Sequence, residues 1–580
     1  VTVDKNTNSS IGGSQSSPSS SARTFAVLAI LMVVALVVLW PTLRMGIWLD
    51  EYLSINSSTG ENIIAVVTNG FGRQDDYHPP LFYMVLNVWM KLFGGGDLSV
   101  KIPSVIFGLF TIPVAYCLGR VCHSNRIGLL TALFCAISPL AQFLSGQCRG
   151  YALAGLLSAI ALTAYIVLVR TGSGNSVSKS ASVSAFLVSA IAIAALCYTA
   201  YVGCVLIPCL GLASTIILVR HYAMTNDAKL RKQSLQTYGK CVASLILAFL
   251  LFSPWLPSVM NQTSGALYLD RTPLSRFPEV FFWNWMNMLP AHIFFGPALL
   301  AILVLVFIIR TMQRKRGGAE TLAGSDDSSA GENSFGLDRD VAIILLTVTI
   351  IPCCLMGYIT TWWVGYFRYV YPFCPAAWVL LATFVSLTFW NRDGSIGKSS
   401  KMALAAILVI LSAINISWSI FRTQIPNSGL NTVAQEALKG QFDNTAFVIC
   451  PDAIGPTLGY YLPEDARKAH HVGLFGFAKW DDTVIPANIP DMSKPWMTDT
   501  LIEDTLKRID QLAAAGYKYV ALTRDSDKQL ELLSSAKMPR KKRVDELLAA
   551  LNHKYKVIST KQYPAVTEDV TITRYELPQQ

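Results

Sequence analysis

Hydrophobic positions along this chain come in long unbroken runs rather than in the short alternations of a soluble protein. The stretches 24–41, 182–219, 291–309 and 341–359 contain no Asp, Glu, Lys or Arg. About 20 apolar residues suffice to cross a bilayer as a helix. This pattern predicts spans near 24–43, 98–119, 126–145, 149–170, 182–200, 201–220, 241–259, 291–310, 341–360, 367–390 and 402–421. From about 422 onward charged residues return and the pattern changes. Ala446–Cys450 reads as a strand, 455–462 as the start of a helix, 500–514 as an amphipathic helix, and Tyr517–Thr523 as a second strand. A helix near 543–552 precedes a strand at Tyr555–Ser559. Alternating strands and helices predict a small α/β domain with a partly parallel sheet. The chain thus divides into a Ser-, Asn- and Gly-rich tail over 1–23, expected to be disordered, a membrane region over 24–421 and an α/β domain over 422–580.

The loops fix an orientation. Every second connection is basic: Arg120/Arg126, Arg170/Lys179, Arg220 to Lys240, Arg310 to Arg316, and Arg392 to Lys401. By the positive-inside rule these loops face the cytoplasm. The N-terminus is then cytoplasmic and the α/β domain extracytoplasmic. The apolar segment 79–93 is about 15 residues long, too short for a comfortable crossing, and counting it as a span would invert every later loop. It reads as a helix in the outer interface, with Trp89 and Lys91 at headgroup level; 277–290, with Trp283 and Trp285, reads the same way.

Composition sharpens this picture without changing it. Mean hydropathy is +0.42 and 14% of residues are charged, against about 25% in a typical soluble domain. The net charge of +10 resides largely in the orienting loops, so it does not indicate nucleic-acid binding. The first apolar run is too long for a cleaved signal peptide and no small-x-small site follows it. All twelve cysteines except Cys450 lie in or beside the membrane region, with no CxxC spacing, which argues against both a disulfide framework and a zinc site. Neither GxGxxG nor a P-loop occurs.

None of the predicted spans contains Asp or Glu, although ion-coupled transporters and pumps usually place acids near the midplane. The acids near the membrane lie in outer loops. Asp50–Glu51, in GIWLDEYLS, follows the first span closely. A carboxylate there can deprotonate a hydroxyl arriving from outside; the pair equally suits the start of a helix at 51–68, where its charge faces the helix N-terminus. His78 follows Asp75–Asp76 and precedes two prolines; it is a candidate metal ligand with those acids or Glu51, and equally a structural residue. Arg149, Arg271, Arg276 and Arg368 form an outer belt of cations suited to a lipid-linked phosphate, or to snorkelling toward headgroups.

Four motifs in order, WLDEYLS, HPPLFYMVLNVWMKLFG, SGQCRGYAL and FRYVYPFCP, resemble the GT-C glycosyltransferases, in particular the protein O-mannosyltransferase and aminoarabinose (lipid A) transferase branch. The resemblance implies a GT-C-like fold over 24–421 and transfer of a sugar from a polyprenyl-phosphate donor to an acceptor hydroxyl at the outer face. It makes Asp50 the catalytic carboxylate and Glu51 the second acid of that motif. Arg149, Arg271 and Arg368 become candidates for the donor phosphate, and Tyr52, His78, Tyr151 and Tyr369 for the cavity lining. His78–Pro79 stands where the aminoarabinose branch has Glu-Lys-Pro, so that donor and its metal ligand are not carried over, and a divalent metal remains an open option. The expected partners are the lipid-linked donor, a lipid, glycan or protein acceptor, and membrane lipids; the expected location is a bacterial inner membrane. A flippase of lipid-linked sugars is a rival, disfavoured by the scarcity of polar residues in the spans. A non-catalytic scaffold or sensor is a second, and leaves the carboxylates and arginines unexplained.

Overall fold

The computed structural model describes residues 20–70, 78–171, 179–265, 274–291, 296–321, 337–359, 367–391, 395–450, 454–477, 500–532 and 539–578. Arg271, Asp75, Asp76 and Asp270, together with the tail 1–19, lie outside these residues.

Among the described residues, nine helices are long and apolar enough to cross a membrane. A tenth candidate is a bent pair, Asn125–Ile137 and Pro139–Ser145, and the helix expected at 291–310 is present with a shorter apolar part, Gly296–Arg310. Large apolar side chains such as Phe25, Ile30, Val37, Val219 and Val409 are exposed on these helices, while Trp378, Tyr151, Tyr165 and Tyr371 are fully buried between them. An apolar outside around a packed, partly polar inside is what a lipid solvent requires. Helices packed through small residues approach closely: a Cβ on Gly119 of α5 (Asp97–Cys122) would stand 2.9 Å from Gly128 Cα of α6 (Asn125–Ile137).

Two further features shape the membrane region. The first is the 58° bend between α6 and α7 (Pro139–Ser145). Pro139 occupies the first turn of α7, where its missing N–H costs nothing, and the Ser138 hydroxyl accepts from Ala141 N–H as the cap. The second is α4 (Leu81–Phe93), the segment expected in the interface. Its 13 residues span about 20 Å, too little to cross the hydrocarbon. It buries Phe82, Tyr83, Leu86 and Asn87 and leaves Val88, Leu92 and Phe93 exposed.

The C-terminal domain holds one five-stranded sheet of order β2-β1-β3-β5-β4: β1 Thr445–Cys450, β2 Gly473–Gly476, β3 Tyr519–Asp525, β4 Lys556–Tyr563 and β5 Val570–Glu576. β1 pairs in parallel with β2 and β3; β5 runs antiparallel to β3 and β4. Strand alternation sends Ala446, Val448 and Cys450 into one apolar layer with Ile509, Leu512, Val544 and Leu547 of the helices Leu501–Ala514 and Arg540–Lys554. Phe447 and Ile449 face the opposite layer with Leu430, Val433 and Leu458 of the helices Gly429–Leu438 and Gly455–Tyr461. The sequence reading found three of the five strands. It missed β2, which is only four residues long, and β5, the alternating VTITRYE. The third strand starts two residues later than expected, because Gly516 at φ +88° closes the preceding helix and delays the ladder.

This domain rests on the segment that follows the first span. Asn427 N–H donates to Met45 O at 2.8 Å, and Asn427 Nδ2 to Gly46 O at 3.2 Å. The Tyr461 hydroxyl accepts Ile47 N–H at 2.5 Å, and Glu568 Oε1 accepts Leu49 N–H at 2.8 Å. The Tyr460 and Tyr461 hydroxyls both donate to Asp97 at 2.8 Å. Gly46 makes the turn at φ +73°, and a Cβ there would collide with the Asn431 side chain.

Candidate active site

The helix Leu49–Ser57, here α2, carries both acids in its first turn. Trp48 precedes it in extended conformation (φ −117°, ψ 174°), and its N–H donates to Glu51 Oε2 at 3.3 Å, half of a capping box. The two adjacent carboxylates then diverge. Glu51 turns inward and is fully buried; it accepts Cys148 N–H at 2.7 Å and lies 3.7 Å from Lys101 Nζ, also fully buried. Burial raises its pKa above the usual carboxylate range, opposed by the Lys101 charge and the two backbone donors. Lys101 Nζ in turn donates to Gly46 O at 2.7 Å. Glu51 thus clamps the loop after α7 against the segment that follows the first span, and its side chain is fully buried.

Asp50 turns the other way. Its Oδ2 lies 2.6 Å from Arg368 Nη1, and the two side chains are 19% and 21% exposed, enough for a ligand to reach both. Arg368, at the start of the late FRYVYPF turn, has its guanidinium carbon 5.8, 5.8 and 5.7 Å from the ring centres of Trp48, Tyr151 and Tyr369. Its Nε is buried without a hydrogen-bond partner. Arg149 approaches from the loop beyond the α6–α7 bend. It donates to Asp50 O at 2.7 Å and Ser54 Oγ at 2.9 Å through Nη1, and its Nη2 stands 3.2 Å from the His78 ring nitrogens. Tyr151 is 2% exposed, its hydroxyl unpartnered, its ring edge-on to those of His78 and Tyr369. One acid, two arginines, one histidine and two tyrosines therefore converge from four separate stretches of sequence.

Other expected residues lie elsewhere. Tyr52 packs against Tyr460 of the C-terminal domain, ring centres 6.2 Å apart, rather than beside Arg368. Arg276 forms an exposed pair with Glu279 at 3.3 Å. No cluster of three or more His, Cys, Asp or Glu suited to a metal occurs among the described residues. His78 has the Arg149 cation beside it and Glu51 is committed to the loop clamp, while Asp75 and Asp76, the other expected ligands, lie outside the described residues. Sequence reasoning missed Glu568. It is fully buried, its pKa is pushed up to about 8 mainly by that burial, and it holds the first N–H of the Asp50 helix from 519 residues away. No local motif marks it.

Residues 77–257 match the family model described as dolichyl-phosphate-mannose-protein mannosyltransferase. No curated protein matches the chain. Among solved structures, the chain is similar to ArnT from Cupriavidus metallidurans in the apo state, with 13% identity over 95% of this chain and 98% of that one and a TM-score of 0.53. It is likewise similar to the undecaprenyl-phosphate-bound form of that protein, with 12% identity over 96% and 98% and a TM-score of 0.51. At these identities the likeness is one of fold, and it spans both the membrane helices and the C-terminal domain. The matched family segment covers the stretch that delivers His78, Arg149 and Tyr151, and the chain shares the fold of these solved structures.

Proposed function

We propose that the protein transfers a sugar from a polyprenyl-phosphate donor to an acceptor hydroxyl at the outer face of the membrane, inverting the anomeric centre. The observation that carries this reading is the Asp50–Arg368 contact at 2.6 Å, a carboxylate and a phosphate-binding cation side by side and both accessible. Undecaprenyl phosphate bound to the similarly folded ArnT is the chemistry expected of the donor.

The acceptor hydroxyl binds beside Asp50, which takes its proton as the oxygen attacks the anomeric carbon. The bond from that carbon to the phosphate oxygen breaks on the opposite face, and the electron pair leaves with the phosphate. Phosphate charge grows by one unit, and Arg368, flanked by Arg149, stabilises it in place. The leaving group needs no proton, so one carboxylate suffices, unlike the paired acids of glycoside hydrolysis. Glu51 acts through the loop it clamps, as a positioning residue. The N-terminus is placed in the cytoplasm and the α/β domain outside, in a bacterial inner membrane.

Asp50→Asn preserves size and hydrogen-bonding capacity and removes the base. In membrane vesicles supplied with a polyprenyl-phosphate sugar, transfer is expected to fall roughly 10²–10⁴-fold, with the melting temperature little changed. Undiminished transfer in this variant overturns the assignment. Comparing envelope glycans by mass in cells with and without Asp50 identifies the sugar.

A further inference from the structure

A second cleft lies on the other side of the loop that carries Arg149. It is bounded by α7, by the end of α17 (Lys398–Arg422) and by the turn after the first span, and none of Asp50, His78, Arg149 or Arg368 lines it. Its volume is about 30 Å³, on a measure by which one water needs about 10–15 Å³.

The polar groups lining this cleft can be accounted for one by one. Thr42 Oγ1 donates to Leu39 O, Gln142 Nε2 to Ala136 O, Ser419 Oγ to Gln142 Oε1, and Asn427 Nδ2 to Gly46 O. Apart from the Trp418 indole, two polar side chains remain. Gln147 is 2% exposed, and both its amide oxygen and its amide nitrogen are buried without a partner. Arg422 folds over Phe143, its guanidinium carbon 3.5 Å from the ring centre, and makes no ion pair. No carboxylate lines the cleft, so its formal charge is +1. A cation that merely snorkels extends its head into water; Arg422 instead lies flat on an aromatic face beside an unsatisfied amide. Buried polar groups normally find partners; here the buried Gln147 amide has none at either atom, and the half-buried Arg422 guanidinium lines the same cleft.

We propose that this cleft is a second anion site, which takes a phosphate group through Arg422 and the Gln147 amide, separately from the catalytic centre. A phosphate oxygen accepts from the guanidinium fork and the amide N–H, while the amide oxygen accepts from a hydroxyl carried by the same group or its glycerol. The cleft opens at the end of an apolar helix whose neighbouring Ile420 and Phe421 are exposed, where phospholipid phosphates lie, and free phosphate has the same chemistry.

The test uses the full-length protein in detergent, titrated separately with phosphatidylglycerol and with inorganic phosphate and followed by native mass spectrometry. Wild type is expected to retain one ligand more than Arg422→Gln and Gln147→Leu, each variant binding about tenfold more weakly, the loss of one charge-assisted contact. Gln147→Leu keeps the side-chain volume and serves if Arg422→Gln does not fold. Retention of phosphatidylglycerol undisturbed by millimolar phosphate assigns the site to a headgroup; saturation by phosphate with lipid displaced assigns it to free phosphate. Identical binding of both probes by wild type and a folded variant overturns the site.

Discussion

Asp50 and Glu51 are neighbours in sequence and opposites in structure. On a helix, consecutive residues point about 100° apart, so only one of an adjacent pair can face a given cavity. Here Asp50 meets Arg368 while Glu51 enters the core beside Lys101. The sequence alone named both as acids of one motif; their division of labour follows from helix geometry once the phase is known. Arg368 depends on shape as well as charge, because its planar head stands near three aromatic rings and must still reach Asp50. Arg368→Lys keeps the charge and loses the fork and the ring contacts. In a donor titration its KM is expected to rise about tenfold, with a smaller fall in kcat. An unchanged KM would remove Arg368 from the donor site.

The element that matters most is the short run 45–49, whose backbone is bonded to the C-terminal domain at Met45, Gly46, Ile47 and Leu49. Each such bond contributes about 1 kcal/mol net, and leaving a buried N–H unpaired costs about 1–3 kcal/mol. The spans, the short interfacial helix and the motif residues Asp50, Arg149 and Arg368 were legible because hydropathy runs and local motifs record them. The pinning of 45–49 was not, since Asn427, Tyr461 and Glu568 lie 380 to 520 positions away and resemble ordinary domain residues. Glu568 makes this contact sensitive to pH. Its folded pKa of about 8 lies above the ordinary glutamate value of 4.5, so the folded state holds its proton longer than the unfolded chain does. The stability it contributes is present below about pH 4.5 and is lost as pH rises through about 8. Buried Asp525, raised to about 7 by the same desolvation, acts in the same sense at lower pH. Glu568→Gln keeps an oxygen for Leu49 N–H and cannot ionise. Its melting temperature relative to wild type is expected to be more favourable at pH 8.5 than at pH 5; an equal difference at both would show that Glu568 is not the source.

At the scale of the whole molecule, the α/β domain and the Asp50 helix share one side of the membrane region, because direct hydrogen bonds join them. The alternation of basic loops supports the proposal that this side is the outside. A reporter that is active only outside the cytoplasm, fused after residue 578, is expected to be active, and the same reporter in the basic loop near 315 inactive; the reverse pattern would invert the topology. The reach from Leu49 to Glu568 also has a consequence for biosynthesis. Membrane helices are inserted as they leave the ribosome, so on the proposed orientation Asp50 reaches the outer face, and the proposed donor lipid, before residue 568 is made. Until then Leu49 lacks its acceptor, although Asn427 and Tyr461 can already hold Met45, Gly46 and Ile47. A chain stopped at 563, before β5, is expected to insert in the membrane yet transfer no sugar, which vesicle assays on the truncated protein can read directly. On the proposed function, the contact that Glu568 makes just before β5 sets when the loop carrying Asp50 begins to work.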